Sequence, residues 1–169
     1  MKRKQLFIWL CLLPAFCHAQ MVSLRVADTW IELPREEMQT EIKQGWSIAG
    51  RKLKDKSVLY LWGKTSRQMT DDRRPELRVE PGEKETLVDY ALIRLDVRRD
   101  HRRLPKSILR ENPYTRLEPT DFSIRPDGKQ AFVCRPLNNL PSGEYVLVCL
   151  EQTVEKYQAG YRVHAFSIP

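Results

Sequence analysis

The chain has few of the side chains on which most enzyme chemistry depends. Its 169 residues include only four Cys and three His, and after residue 19 only Cys134, Cys149, His101 and His164 remain. Two thiols without a suitably spaced His do not supply the ligands of a structural zinc site. A G-x-S-x-G nucleophile elbow and a phosphate-binding Gly-rich loop are also missing. These absences predict a protein without catalytic activity, metal or cofactor.

Long apolar runs are missing after the first residues of the chain. The run at residues 6–17 follows three basic residues and is too short to span a bilayer. Small residues at Cys17 and Ala19 precede an expected cleavage site before Gln20, which is the pattern of a secretory signal peptide. Residues 1–19 are therefore predicted to be a signal peptide, and the mature chain is expected to be exported, with no membrane span.

Export places the mature chain in the periplasm, outside the cell or at the cell surface. Lipid attachment at Cys17 is the alternative, and the bulky Phe16 before it argues against this processing. Residues 1–19 hold three of the 29 basic residues and none of the 22 acidic ones, which leaves the mature chain with a net charge of +4. This mild excess points to anionic partners, while the lack of a nucleic-acid-binding motif predicts no nucleic acid partner.

Helical patterns are scarce, and strand patterns dominate. From residue 57 onward about seven strand patterns follow one another at the spacing of an antiparallel sandwich. We therefore predict an all-β fold, with an Ig-like or fibronectin-III-like antiparallel β-sandwich over residues 57–169. Residues 20–56 are predicted to be an N-terminal extension of short strands plus a short helix at Pro34–Gln44, because Pro begins this segment and Gly45 follows it.

A turn near the end of the chain carries a resemblance to known sandwiches. Residues 140–143 place Pro and Gly directly before a strand that begins near Tyr145. A Tyr at this position is similar to the tyrosine corner of immunoglobulin and fibronectin type III domains, which implies that its phenol bonds a backbone group a few residues upstream. Gly143 and Tyr145 are therefore predicted to form a structural corner. A β-arch of another fold, with a buried Tyr, fits the same residues equally well.

The two Cys of the mature chain lie on the strands that flank this corner. An even number of Cys in an oxidising compartment favours a disulfide, so Cys134 and Cys149 are predicted to be bonded to each other. The alternative is a pair of buried free thiols that pack as small apolar side chains.

The most distinctive polar feature is a basic cluster at the end of a predicted strand. Arg side chains bind sulfate, carboxylate and phosphate groups through two parallel hydrogen bonds. The alternative is a solvated strand end whose charges pair with Asp96 and Asp100. The candidate anion-binding residues are Arg94, Arg98, Arg99, His101, Arg102 and Arg103.

Aromatic side chains offer a second candidate surface. Tyr60 and Trp62 alternate along a predicted strand, where they are expected to be core or half-buried residues. Tyr114 and Tyr157 fall in predicted loops and are the better candidates for exposed rings that stack on a sugar.

These observations predict an exported, non-catalytic binding or structural module of the bacterial envelope or cell surface, with a protein as its partner. The first alternative is a protein that binds an anionic glycan through the Arg cluster. The second is a small secreted hydrolase, which needs two carboxylates held close together. A sandwich without a nucleophile or cofactor signature is commonly an interaction module, and this step is an analogy between folds.

Overall fold

The computed structural model describes residues 20–46, 52–82, 86–104, 115–116, 121–149 and 161–169. The predicted signal peptide lies outside these residues, as do Tyr114 and Tyr157. Within them the chain forms twelve strands and one turn of 3-10 helix at Leu87–Asp89, so the all-β prediction is confirmed. The strands are β1 (Met21–Val26), β2 (Thr29–Glu32), β3 (Arg35–Trp46), β4 (Lys52–Trp62), β5 (Leu77–Glu80), β6 (Tyr90–Val97), β7 (His101–Arg103), β8 (Thr115–Arg116), β9 (Phe122–Asp127), β10 (Ala131–Pro136), β11 (Gly143–Cys149) and β12 (Tyr161–Ile168).

Six of these strands close into a barrel. β6 pairs with β11, β11 with β12, β12 with β3, β3 with β4, β4 with β7, and β7 again with β6, all antiparallel. The short β8 also pairs with β6. Because the ladder returns to its first strand, the six strands satisfy one another's backbone groups around the full circle.

The remaining five strands form an open antiparallel sheet in the order β2-β1-β5-β10-β9. Its strands come from both ends of the chain, since β1 and β2 precede the barrel strands and β9 and β10 follow most of them. The register is continuous along β10, which pairs with β9 at six successive positions. The sheet therefore joins segments that lie far apart in the sequence.

Along each barrel strand, successive side chains point alternately into the barrel and away from it. The inward side chains form one apolar cluster, made of Met38, Leu59, Leu61, Ala91, Ile93, Leu95, Val146, Val148, Val163 and Ala165. The outward side chains of β6, β11 and β12 pack against the five-stranded sheet. This second cluster contains Val22, Leu24, Leu33, Leu77, Val79, Tyr90, Leu92, Phe122, Cys134, Tyr145, Leu147, Cys149, Phe166 and Ile168. Each fully buried aliphatic or aromatic side chain contributes about 1.5–3 kcal/mol.

The predicted helix at Pro34–Gln44 is wrong, because residues 35–46 form strand β3 of the barrel. The first part of β3 pairs with β12 and the later part with β4. Met38 is buried inside the barrel. A helix formed by the same residues would have only a narrow apolar stripe and would bury little of it. Pairing partners from distant parts of the sequence therefore override the local helix signals.

The finer fold prediction is not confirmed. Two antiparallel sheets face each other across an apolar core, as in a sandwich, but one of them closes on itself as a barrel. β4 runs without interruption across residues 56 and 57, between the predicted extension and the predicted sandwich, and β3 and β4 both belong to the barrel wall.

In the part of the chain that the structure describes, no helix has the length and apolar character needed to cross a membrane.

Candidate binding surface

Strand alternation divides the basic cluster that the sequence predicted. In β7 the side chain of Arg102 points into the barrel and is almost fully buried, with 1% of its surface exposed. His101 and Arg103, on either side of it, point outward. Arg98 and Arg99 lie exposed in the turn between β6 and β7. The six predicted residues therefore do not converge on one site.

Arg102 is the centre of a buried ionic network. Its Nη1 lies 3.3 Å from Oε2 of Glu144 and also donates to the Ser66 hydroxyl. Its Nη2 lies 3.1 Å from Oε2 of Glu36. Backbone carbonyls complete the coordination, at 3.2 Å from Nε for Gly63 and 3.3 Å from Nη2 for Trp62. A buried guanidinium needs this degree of pairing, and Arg102 is therefore a structural residue.

The same network fixes the loop that follows β4. Oε2 of Glu144 accepts hydrogen bonds from the backbone N–H of Ser66 at 2.8 Å and from its hydroxyl at 2.7 Å. Further along, Thr70 N–H donates to the Ser167 carbonyl at 3.0 Å, and Ser167 N–H donates to the Gln68 carbonyl at 2.9 Å. The loop is therefore attached to the barrel at β11 and β12.

The outward face of β4 and β7 carries an exposed aromatic group. Trp62, the last residue of β4, has 63% of its surface exposed. Its ring meets the Tyr60 ring edge to face with centroids 5.2 Å apart, and the Tyr60 and His101 rings are 5.3 Å apart. Trp62 pairs with His101 and Tyr60 with Arg103 in the β4–β7 ladder. We call these four residues the Trp62 face.

Charged side chains border the Trp62 face. Asp96 Oδ2 lies 3.7 Å from Arg103 Nε and 3.9 Å from Arg98 Nη2, so one carboxylate forms ion pairs with two guanidinium groups. Asp100 Oδ1 lies 2.7 Å from His101 Nδ1. The exposed Lys64 follows Trp62 by two residues. Positive charge is therefore in excess around the exposed rings.

Arg94 is turned toward a different part of the molecule. Its Nη2 donates to the Ser142 carbonyl at 2.6 Å. A Cβ placed on Gly143 would come within 2.7 Å of Arg94 Nε, so the missing side chain of Gly143 leaves room for the guanidinium. Arg94 thus belongs to the corner between β10 and β11.

The corner itself contains the hydrogen bond that the resemblance implied. The Tyr145 hydroxyl donates to the Pro141 carbonyl, four residues upstream, at 2.6 Å. The Tyr145 ring stacks on Phe166 with centroids 5.5 Å apart, and burial raises the pKa of the phenol. Tyr145 therefore attaches the corner to the core between the two sheets.

The two Cys are present as buried thiols in the same apolar cluster, and no disulfide joins them. The structure therefore does not contain the predicted bond and agrees with the alternative of packed thiols. Burial raises the pKa of Cys134 to about 12, which keeps this thiol protonated at neutral pH and unsuited to nucleophilic attack.

His164 is buried between the barrel wall and the first strands of the chain. Its Nδ1 lies 2.8 Å from the Leu33 carbonyl. Nδ1 therefore carries the proton in the neutral ring, and the buried Nε2 has no hydrogen-bond partner among the described residues. Burial lowers the pKa of His164. The burial and the bond to the Leu33 carbonyl favour a packing role.

Glu36 and Glu144 lie close together around Arg102, whose guanidinium contacts both carboxylates and balances one of their two negative charges. Within the described residues, no group of three or more His, Cys, Asp or Glu side chains is placed to hold a metal ion.

Sequence reasoning missed the exposure of Trp62 and the partners of Arg102. Trp62 is the last residue of its strand and directly precedes Gly63 and Lys64, which is a signal for an exposed strand end. Glu36 and Glu144 stand at the inward positions of strands whose next inward residues are apolar, and such placement indicates a buried ion pair.

No protein-family model, curated protein or solved structure matches this chain.

Proposed function

We propose that this chain is an exported, non-catalytic binding module of the bacterial envelope or cell surface, and that it binds a protein partner through the Trp62 face. The observation that carries the proposal is the exposure of Trp62, whose ring is 63% accessible on a barrel strand. Trp, Tyr and Arg are the residues most enriched among those that dominate binding energy at protein interfaces. The Trp62 face contains one of each, with His101 beside them.

The position of Trp62 is fixed before any partner binds. Its backbone pairs with His101 in the β4–β7 ladder, and its carbonyl accepts a hydrogen bond from the buried Arg102. The Tyr60 ring supports the indole from one side. A rigid aromatic side chain loses little conformational entropy on binding, so more of its burial contributes to affinity.

The charges around the face specify the chemistry of the partner. Arg98, Arg99 and Lys64 are exposed, Asp96 is paired with Arg98, and Asp100 is paired with His101. The best match is a protein surface with an apolar recess for the indole and acidic residues around it. The predicted signal peptide at residues 1–19 supports a partner in the envelope or outside the cell.

An anionic glycan is the second candidate. The Trp62 and Tyr60 rings share the Trp62 face with Arg103, and Asp96 links Arg103 to the exposed Arg98. Aromatic rings with guanidinium groups nearby suit a sugar that carries a carboxylate or sulfate. Two of the six candidate anion-binding residues are not on this surface, because Arg102 is buried and Arg94 bonds the Ser142 carbonyl at the corner. The protein partner is therefore the stronger proposal.

The test compares binding by the mature chain with binding by two Trp variants. Trp62→Ala removes the centre of the face, whereas Trp30→Ala removes a 38% exposed Trp in β2 of the other sheet. We expect affinity capture from an envelope extract to enrich a protein with the unchanged chain and with Trp30→Ala, and to lose it with Trp62→Ala. Equal capture by all three chains contradicts the proposal. Salt-sensitive retention on sulfated or uronic-acid glycans, lost in Trp62→Ala, favours the second candidate.

A further inference from the structure

A separate cavity of about 250 Å³ opens where the corner approaches the barrel wall. Its residues come from β6 and β11 of the barrel, from β10, the start of β9 and the residue before it in the five-stranded sheet, and from the segment between β10 and β11. They are Leu92, Arg94, Asp121, Phe122, Pro136, Asn138, Leu140, Pro141 and Tyr145. The cavity is distinct from the Trp62 face and shares no residue with it.

The inner part of this cavity is apolar. Leu92, Phe122 and Tyr145 are each at most 5% exposed, and Pro136 is also buried. The Tyr145 hydroxyl proton is engaged by the Pro141 carbonyl, so Tyr145 presents mainly its ring. An apolar hollow of this kind gains free energy when a hydrocarbon group displaces its water.

The rim of the cavity carries one guanidinium group. Arg94 is exposed, and the only hydrogen bond it makes within the described residues is to the Ser142 carbonyl. A guanidinium has five N–H donors, so most of them remain available. Gly143 holds this arrangement open, because a Cβ at that position would collide with Arg94 Nε at 2.7 Å.

We propose that this cavity binds a small organic carboxylate whose apolar tail fills the space over Leu92 and Phe122 and whose carboxylate group is bound by Arg94. One guanidinium matches one carboxylate through two parallel hydrogen bonds. The volume is below the range of about 300–1,000 Å³ that is typical for drug-sized ligands, so the tail is short.

The test uses 3-phenylpropanoate as the probe and its uncharged analogue 3-phenylpropanamide as the comparison. Both are titrated into the mature chain, and the dissociation constants come from the NMR shifts of Leu92, Phe122 and Leu140. We expect the carboxylate to bind at least about tenfold more tightly than the amide, which is the size of effect expected for a charge-assisted hydrogen bond. Equal affinities, or no shifts at these residues at saturating probe, overturn the proposal.

The variant Arg94→Gln locates the charge that is responsible. It should reduce carboxylate affinity to that of the amide and leave amide binding unchanged, whereas the matched variant Arg98→Gln, in the turn between β6 and β7, should behave as the unchanged chain. Full carboxylate affinity in folded Arg94→Gln overturns the assignment. If loss of the Ser142 contact prevents folding of this variant, the comparison of the two probes on the unchanged chain decides the question.

Discussion

Arg102 and Glu144 are bound to each other across the interior of the barrel, with Nη1 3.3 Å from Oε2. Their strands, β7 and β11, are not neighbours, because β6 lies between them. Glu36 of β3 is a second carboxylate partner of Arg102, with its Oε2 3.1 Å from Nη2. One guanidinium thus connects three strands of the closed sheet, above the apolar cluster that fills the rest of the barrel.

Removal of the Arg102 charge should strongly destabilise the fold. Arg102→Met keeps an unbranched side chain and leaves Glu36 and Glu144 without their cation. Breaking a buried ion pair by removing one partner costs about 3–5 kcal/mol, and urea unfolding should show a loss of this size. The control Arg98→Met changes an exposed Arg and should lie within about 0.5 kcal/mol of the unchanged chain. Equal midpoints for the two variants would show that the network does not stabilise the barrel.

The corner hydrogen bond should make a smaller and measurable contribution. Tyr145→Phe removes the hydroxyl that donates to Pro141 and retains the ring that stacks on Phe166. We expect the free energy of unfolding to fall by about 1 kcal/mol. Tyr60→Phe is the matched control, since the structure gives the Tyr60 hydroxyl no hydrogen bond within the described residues. A Tyr145→Phe variant as stable as Tyr60→Phe would contradict this role for the hydroxyl.

Stability should fall in mildly acidic solution because of His164. Burial lowers the pKa of this imidazole in the folded chain, opposed by its bond to the Leu33 carbonyl and by Glu32, while Arg35 adds to the lowering. In the unfolded chain the imidazole of His164 has its ordinary pKa of about 6.5. As the pH falls below about 6.5, the unfolded state gains a proton that the folded state does not, so the free energy of unfolding decreases.

Unfolding experiments between pH 5 and pH 8 on a matched pair of variants test this dependence. His164→Asn keeps an N–H near the position of Nδ1 and removes the titrating group, so it should lose most of the slope below about pH 6.5. His101→Asn, at the surface of the barrel, should retain the slope. An unchanged slope in His164→Asn would assign the acid sensitivity to other groups.

Cys134 and Cys149 should react as two buried thiols. In the folded chain burial raises the pKa of Cys134 to about 12, and both side chains are buried, so iodoacetamide at pH 8 should label neither. In denaturant without reductant we expect two labels on the mature chain, which lacks Cys11 and Cys17, measured by mass spectrometry. If labels appear only after reduction, the sequence-based prediction of a disulfide is right and the thiol arrangement is wrong.

The class of the fold followed from the sequence, while its topology did not. Alternating residues at Val58 to Trp62 and at Ala91 to Val97 indicated strands, and the structure contains them in β4 and β6. Alternation does not reveal which strands pair, so the return of β7 to β6 that closes the barrel carried no local signal. In β3, the Pro34 and Gly45 signals at its ends mimicked a helix, and only the partners β12 and β4 make this segment a strand.

The candidate site followed from the sequence only in part. The basic cluster was visible as a run of Arg residues, but its division depends on the side of the sheet each residue occupies, and this is fixed by the register Leu61–Arg102. The exposure of Trp62 depends on where the barrel wall ends. Both are consequences of tertiary pairing, which a single sequence does not specify.

The central claim is that the Trp62 face binds a protein partner, and site-specific photocrosslinking in cells tests it most directly. A photoreactive phenylalanine analogue replaces the exposed Lys64, two residues after an unchanged Trp62, in one chain and Trp30, on the five-stranded sheet, in the control. The account predicts one crosslinked protein adduct of defined mass from position 64 after irradiation, and none of the same mass from position 30. No adduct from position 64, or the same adducts from both positions, would contradict the assignment of this face as the binding surface.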